Sequence, residues 1–119
     1  MKYPTTVKVR DTLYKIEYVN TSREVSTNLD SDLYCGMANH VNRTIRILIN
    51  RPSNAILETL IHELLHCITE RNPALLTLLG DDKEESIVST FAIDLAMLLL
   101  DNKWVNMPKQ DPTSTRRIK

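Results

Sequence analysis

Residues 61–67 read IHELLHC, a His-Glu-Leu-Leu-His run inside a segment whose apolar residues recur with helical spacing. From 56 to 68, Ile56, Leu57, Leu60, Ile61, Leu64, Leu65 and Ile68 form one stripe, which predicts a helix with its apolar face centred on Leu57, Leu64 and Ile68. His62 and His66 fall nearly opposite, on a face shared with Ala55, Thr59 and Thr69. The i, i+4 spacing sets both imidazoles over one patch of helix surface, close enough to hold a single cation. Zinc takes neutral imidazole nitrogens in tetrahedral geometry, and a catalytic zinc keeps one position for water. Glu63 adjoins His62 and leans to the same side, so its carboxylate is placed to take a proton from water that such a metal has acidified. With 3 histidines and 7 glutamates in the chain, a chance HExxH arises in roughly one shuffled sequence in 340. The run is therefore read as a metal site, with His62 and His66 as ligands, Glu63 as general base, and hydrolysis of an amide bond as the chemistry.

Outward from this helix, the N-terminal half reads as β. Residues 7–19, VKVRDTLYKIEYV, alternate β-branched and aromatic residues around a break at RDT, which predicts a hairpin. After the polar stretch 20–32, residues 33–50 hold a second β unit with a turn near NHVNR and a strand over TIRILI, residues 44–49. A small antiparallel sheet is expected. Pro52 opens the helical half, with Ser53 or Asn54 as a cap. NPALLTLLG predicts a short helix opened by Asn72-Pro73 and closed by Gly80, and a last helix spans roughly 84–101 with Val88, Phe91, Leu95, Leu98 and Leu99 on its inner face. The expected architecture is α+β, with the sheet packed against the HExxH helix and a C-terminal helix.

A catalytic zinc needs a third protein ligand. No histidine follows His66, so the candidates are the carboxylates of GDDKEES, residues 80–86. Glu84 continues the stripe of Val88, Phe91 and Leu95 and should point inward; Glu85 shares a flank with the small residues Ser89, Ala92 and Ala96. Asp82 and Glu85 also fit a capping box, so both glutamates have a purely structural explanation. ETLIHELLHCI followed by EESIVSTFAIDLAMLLLDN resembles the small HExxH proteins common in phages and prophages, which are similar to compact gluzincin-type metallopeptidases, the minigluzincins. The likeness covers about residues 33–102. In those proteins the HExxH helix precedes a helix of pattern E-x-x-V-x-x-L-A-x-x-L that often ends in Asp-Asn. The pattern falls on Glu85, Val88, Phe91 in place of the usual leucine, Ala92, Leu95 and Asp101-Asn102. The resemblance implies a zincin-like fold, Zn2+ held by His62, His66 and Glu85, and peptidase activity on a protein or peptide substrate.

The rest of the chain sets bounds. At 119 residues one domain is expected, over 1–105, with a flexible tail at 106–119. Fifteen basic and fifteen acidic side chains give no net charge, so neither nucleic acid nor an anionic membrane is an expected partner. Two cysteines, Cys35 and Cys67, and no apolar leader fit a cytoplasmic protein, in the host cytoplasm if phage-encoded. His40 has three readings, as ligand, transition-state donor or turn residue; Asn39 and Asn42 beside it favour the turn. Tyr18 and Tyr34 could each offer a hydroxyl to an oxyanion, but tyrosines in strands usually pack and neither is assigned; TIRILI is read as the strand on which an extended substrate would pair. Two rivals stand beside the peptidase: a zinc-binding interaction protein with little activity, and a metal-free adaptor that docks a partner on residues 87–99.

Overall fold

The computed structural model describes residues 3–25 and 34–103; the tail, 106–119, lies outside the described residues. Strands β1 (Thr6–Val9) and β2 (Thr12–Val19) form the expected hairpin, antiparallel, with Val9 opposite Thr12. Arg10 makes the reversal at φ 56°, a left-handed conformation uncommon for a residue with a side chain. A four-residue helix, α1 (Ser22–Val25), follows where only a polar stretch is expected. Thr21 and Glu24 cap it reciprocally: the Glu24 N–H donates to Thr21 Oγ1 at 3.3 Å and the Thr21 N–H donates to Glu24 Oε1 at 3.1 Å. Strands β3 (Gly36–Asn39) and β4 (Thr44–Leu48) then pair antiparallel. Asn39 shapes their turn by accepting from the N–H groups of Val41 and Asn42 at 3.0 and 3.1 Å, and Arg43 closes it at φ 58°.

The four strands lie in the order β1-β2-β4-β3, and β2 pairs with β4 in parallel, from Lys15 opposite Thr44 to Val19 opposite Leu48. The sheet is therefore mixed, not antiparallel throughout. Parallel neighbours need a long connection, and the chain between Val19 and Gly36 is long enough to start β3 at the outer edge and bring β4 back beside β2. The register buries Ile16 beside Ile45 and sets Glu17 opposite Arg46 on the other face, where Arg46 Nε donates to Glu17 Oε1 at 3.0 Å. The segment 44–49 is thus interior, and among the described residues the free edges belong to β1 and β3. No described helix is long and apolar enough to cross a membrane.

Helix α2 (Ser53–Glu70) begins with Pro52 at the cap position, one residue before the expected Ser53 and two before Asn54. Two of its sides are buried. Ile56, Leu60 and Cys67 pack with Tyr14, Ile16, Ile45 and Ile47 of the sheet; Leu57 and Ile61 pack with Ala92 and Ala96 of α4 (Asp81–Asp101). Each buried Leu or Ile stabilises the fold by about 1.5–3 kcal/mol relative to exposure. Ile68, expected in the stripe, is exposed. Between the long helices, α3 (Pro73–Leu79) is opened by Asn72, whose Oδ1 accepts from the Leu75 N–H at 3.2 Å, and is closed by Gly80 at φ 74°.

The inner face of α4 differs from the expected one. Val88, Ala92 and Ala96 are buried, whereas Phe91 is 59% exposed and Leu98 also faces outward. Small side chains let one helix axis approach another closely, and here they draw α4 against α2. The large residues stand at the flanks.

Candidate metal centre

The close packing of α4 brings its first turns over the histidine face of α2. His62 Nε2 and His66 Nε2 lie 3.2 Å apart. Glu85 spans the pair, with Oε1 2.9 Å from His66 Nε2 and Oε2 3.3 Å from His62 Nε2. Donors bonded to zinc at 2.0–2.1 Å in a tetrahedron stand about 3.3 Å from one another. The separations here, taken to the two oxygens of Glu85, are of that order, and among the described residues the three side chains form a group that could hold a metal ion, with one donor atom from each within 4.8 Å of the others.

Glu84 takes a different position. The His66 Nδ1–H donates to Glu84 Oε2 at 2.8 Å, and the Thr69 hydroxyl donates to the same oxygen at 2.6 Å. With its Nδ1 proton committed to Glu84, the neutral His66 ring aims a lone pair from Nε2 at the Glu85 carboxylate and at His62. Acceptors facing one another need a cation among them, either a proton or a metal ion. Glu84 does point inward, one turn before the buried Val88, but this puts it behind His66 and leaves Glu85 in front of both rings. Their exposures match these positions: the Glu84 side chain is 18% exposed and that of Glu85 65%. The expected Asp82–Glu85 capping box does not form, since α4 starts at Asp81 and Glu85 instead accepts from the Ser89 hydroxyl at 2.8 Å.

The electrostatics follow from these contacts. Burial opposes a charge on His66, but the Glu84 hydrogen bond and the nearby Glu63 and Glu85 carboxylates outweigh it and raise the pKa. His62 is pulled the other way by burial, against the attraction of Glu85. The Thr69 hydrogen bond leads in lowering Glu84; for Glu85, Ser89 and the two imidazoles overcome a desolvation that would raise it.

Glu63 is buried, with 8% of its surface exposed, and burial pushes its pKa up to about 7. Strand β3 covers it. A Cβ on Gly36 would lie 2.6 Å from Thr59 Cγ2 and 3.2 Å from Glu63 Oε2, so only glycine allows the strand to pass this near α2. The backbone N–H of Ala38 faces the Glu63 carboxylate and acts against the rise in its pKa. The Leu48 N–H donates to the Cys35 carbonyl at 2.8 Å, which fixes the hydrogen-bonded pairs of the antiparallel register and turns the N–H and C=O groups of Gly36 and Ala38 toward the free edge.

This edge and the two helices enclose a cleft of about 460 Å³, lined by His62, Glu63, His66, Glu84 and Glu85 on the helices and by Gly36, Ala38 and His40 opposite. A smaller recess of about 230 Å³, bounded by Cys35, Glu58 and Thr59, adjoins it at His62 and Glu63. Tyr34 lines both. His40 sits in the β3–β4 turn as expected, yet it also lines the cleft, and its Nδ1 lies 3.0 Å from the hydroxyl of the buried Tyr14. A turn reading weighs a residue's neighbours in sequence and carries no information on where a long side chain returns. Cys67 is buried in the core beneath the sheet. Compared with known protein families, with curated proteins and with solved structures, the chain matches none.

Proposed function

We propose that this chain is a zinc-dependent peptidase of the zincin type. The observation that carries the reading is the triangle of His62, His66 and Glu85 donor atoms at zinc-like spacing, beside a buried carboxylate and beneath a free strand edge. His62, His66 and Glu85 would hold the ion, and Glu84 would fix the His66 ring so that Nε2 faces it. Bound there, zinc would supply Lewis acidity toward water and a peptide carbonyl. Glu63 takes the proton from the attacking water and returns it to the leaving amine, a task for which a carboxylate titrating near neutrality is suited. An extended peptide pairs with the outward N–H and C=O groups of Gly36 and the C=O of Ala38, so β3, not the interior β4, is the recognition strand. The likeness to small HExxH metallopeptidases supports the same assignment.

The test combines metal analysis with cleavage of a proteome-derived peptide library read by mass spectrometry. About one zinc per chain is expected, with cleavage by the wild type and none by Glu63→Gln despite full metal. A chain that stays zinc-free after reconstitution, or a Glu63→Gln variant that cleaves like wild type, would overturn the reading. Full zinc without any cleavage would instead favour a metal-stabilised interaction protein.

A further inference from the structure

The cleft contains a side chain that the metal group and the general base leave without a role. His40 faces the histidine pair from the opposite wall, and its hydrogen bonding extends away from the cleft into the core. Arg71 Nε donates to the Tyr14 hydroxyl oxygen at 3.4 Å, and the guanidinium also lies 5.8 Å from the centre of the Tyr14 ring. Tyr14 is fully buried, so the orientation of its hydroxyl is fixed by the fold. A guanidinium has only donors, so the tyrosine oxygen accepts from it and the tyrosine proton is left to donate to His40 Nδ1. The Cys67 thiol also borders this hydroxyl, but burial pushes its pKa up to about 11, which keeps it a weakly accepting thiol. An imidazole that accepts at Nδ1 carries its proton on Nε2. With Nδ1 turned to Tyr14, which does not line the cleft, Nε2 is the ring nitrogen His40 has left to offer to it.

We propose that His40 is a catalytic residue that donates its Nε2–H to the oxyanion formed when water adds to the scissile carbonyl, and that Tyr14 and Arg71 are positioning residues that hold it as that donor. The assignment rests on the peptidase reading. The water oxygen bonds to the carbonyl carbon, the carbonyl π pair moves onto oxygen, and the Glu63 carboxylate receives the water proton. When the C–N bond breaks, that proton passes to the amine and the oxyanion pair reforms the carbonyl. His40 keeps its proton throughout and supplies a hydrogen bond that is strongest while the oxygen is charged, as an oxyanion donor should. Burial lowers its pKa, with Glu70 opposing, so the ring enters the reaction neutral.

The experiment uses zinc-loaded full-length protein and the peptide that the wild type cleaves best. His40→Ala is expected to lower kcat about 10²–10³-fold with KM nearly unchanged. Its zinc content should equal that of wild type, and His40→Gln, which offers an N–H at a similar reach, should recover part of the loss. Tyr14→Phe should lower kcat less, and should lower it no further when combined with His40→Ala, because a positioning residue acts through the group it positions. Independently of activity, long-range ¹H–¹⁵N spectra should show His40 protonated on Nε2 and bare on Nδ1. An unchanged kcat in His40→Ala, a change in KM alone, loss of zinc, an Nδ1–H tautomer, or a kcat loss that appears instead in Tyr34→Phe would overturn the assignment. If the wild type cleaves nothing, the peptidase reading falls and takes this assignment with it. If both wild type and His40→Ala cleave equally, only the role of His40 falls.

Discussion

On the side of α2 that faces α4, Leu57 and Ile61 meet Ala92 and Ala96, and burial there stabilises the fold. On the side beneath β3, burial encloses Glu63, whose carboxylate is held at a pKa of about 7 because the charged form has lost its water. One helix thus carries both the contacts that hold the domain together and a group whose ionisation works against it. The first side brings α4 close enough for Glu85 to reach the histidines; the second keeps a carboxylate poised near neutrality. Position next to the cleft, with the stability given up for it, is what the second side supplies.

The largest expected effect breaks this contrast at Glu63. Its folded pKa is raised from 4.5 to about 7, so the favourable contribution of the neutral carboxyl is complete below pH 4.5 and is lost as pH rises through about 7. Over that window the metal-free protein should lose about 3 kcal/mol. Metal-free Glu63→Gln, which cannot ionise, should therefore be more stable than wild type at pH 8 by up to that amount, with the gap closing by pH 4.5. Urea denaturation at several pH values measures it, and an equal gap at pH 4.5 and pH 8 would show that desolvation of the charge is not its source.

Next come matched overpacking variants on the two sides. Gly36→Ala pushes a methyl group toward Thr59 and Glu63, and Ala92→Leu wedges α4 from α2; each should cost about 1–3 kcal/mol in thermal or urea unfolding. Their effects on the site should differ. Gly36→Ala should weaken peptide cleavage while leaving zinc affinity near wild type, because β3 carries none of the three donors. Ala92→Leu should weaken zinc binding, because it displaces the helix that carries Glu85. The reverse pattern in a competitive zinc titration would mean that β3, not α4, sets the donor triangle.

The smallest effect sharpens the division between the two glutamates. Glu84→Gln should lower zinc affinity about 10–100-fold, the usual consequence of losing a hydrogen-bond partner behind a ligating histidine, while Glu85→Gln should lower it further. Equal losses would argue against separate positions for the two carboxylates.

Much of this arrangement is legible in the sequence, and the parts that are not have identifiable causes. The strand and helix positions follow from periodicity and from Asn72, Pro73 and Gly80, which act where they stand. The parallel pairing of β2 with β4 is not legible, because alternation says which face a residue occupies and nothing of which strand lies beside it. Helix α1 carries a signal in the Thr21–Glu24 capping box, but it lies in a polar stretch too short for helical periodicity. Phe91 misleads because a stripe reading favours large apolar residues, whereas the contact with α2 is made through Ala92 and Ala96. His62 and His66 announce themselves by spacing. The separate positions of Glu84 and Glu85 are a matter of helix phase against a partner helix, and adjacent identical residues cannot be told apart without that partner.

The parallel pairing also bears on the order in which the molecule assembles. The β1–β2 and β3–β4 hairpins are each local, but joining them brings Lys15 to Thr44 and Val19 to Leu48, the long-range closure that slows folding. Until that seam zips, β3 has no fixed place over α2, so the groove and the donor triangle mature at different moments. Shortening Ile45 to Val should then slow refolding and speed unfolding little, whereas acceleration of unfolding alone in stopped-flow measurements would place the seam after the rate-limiting barrier.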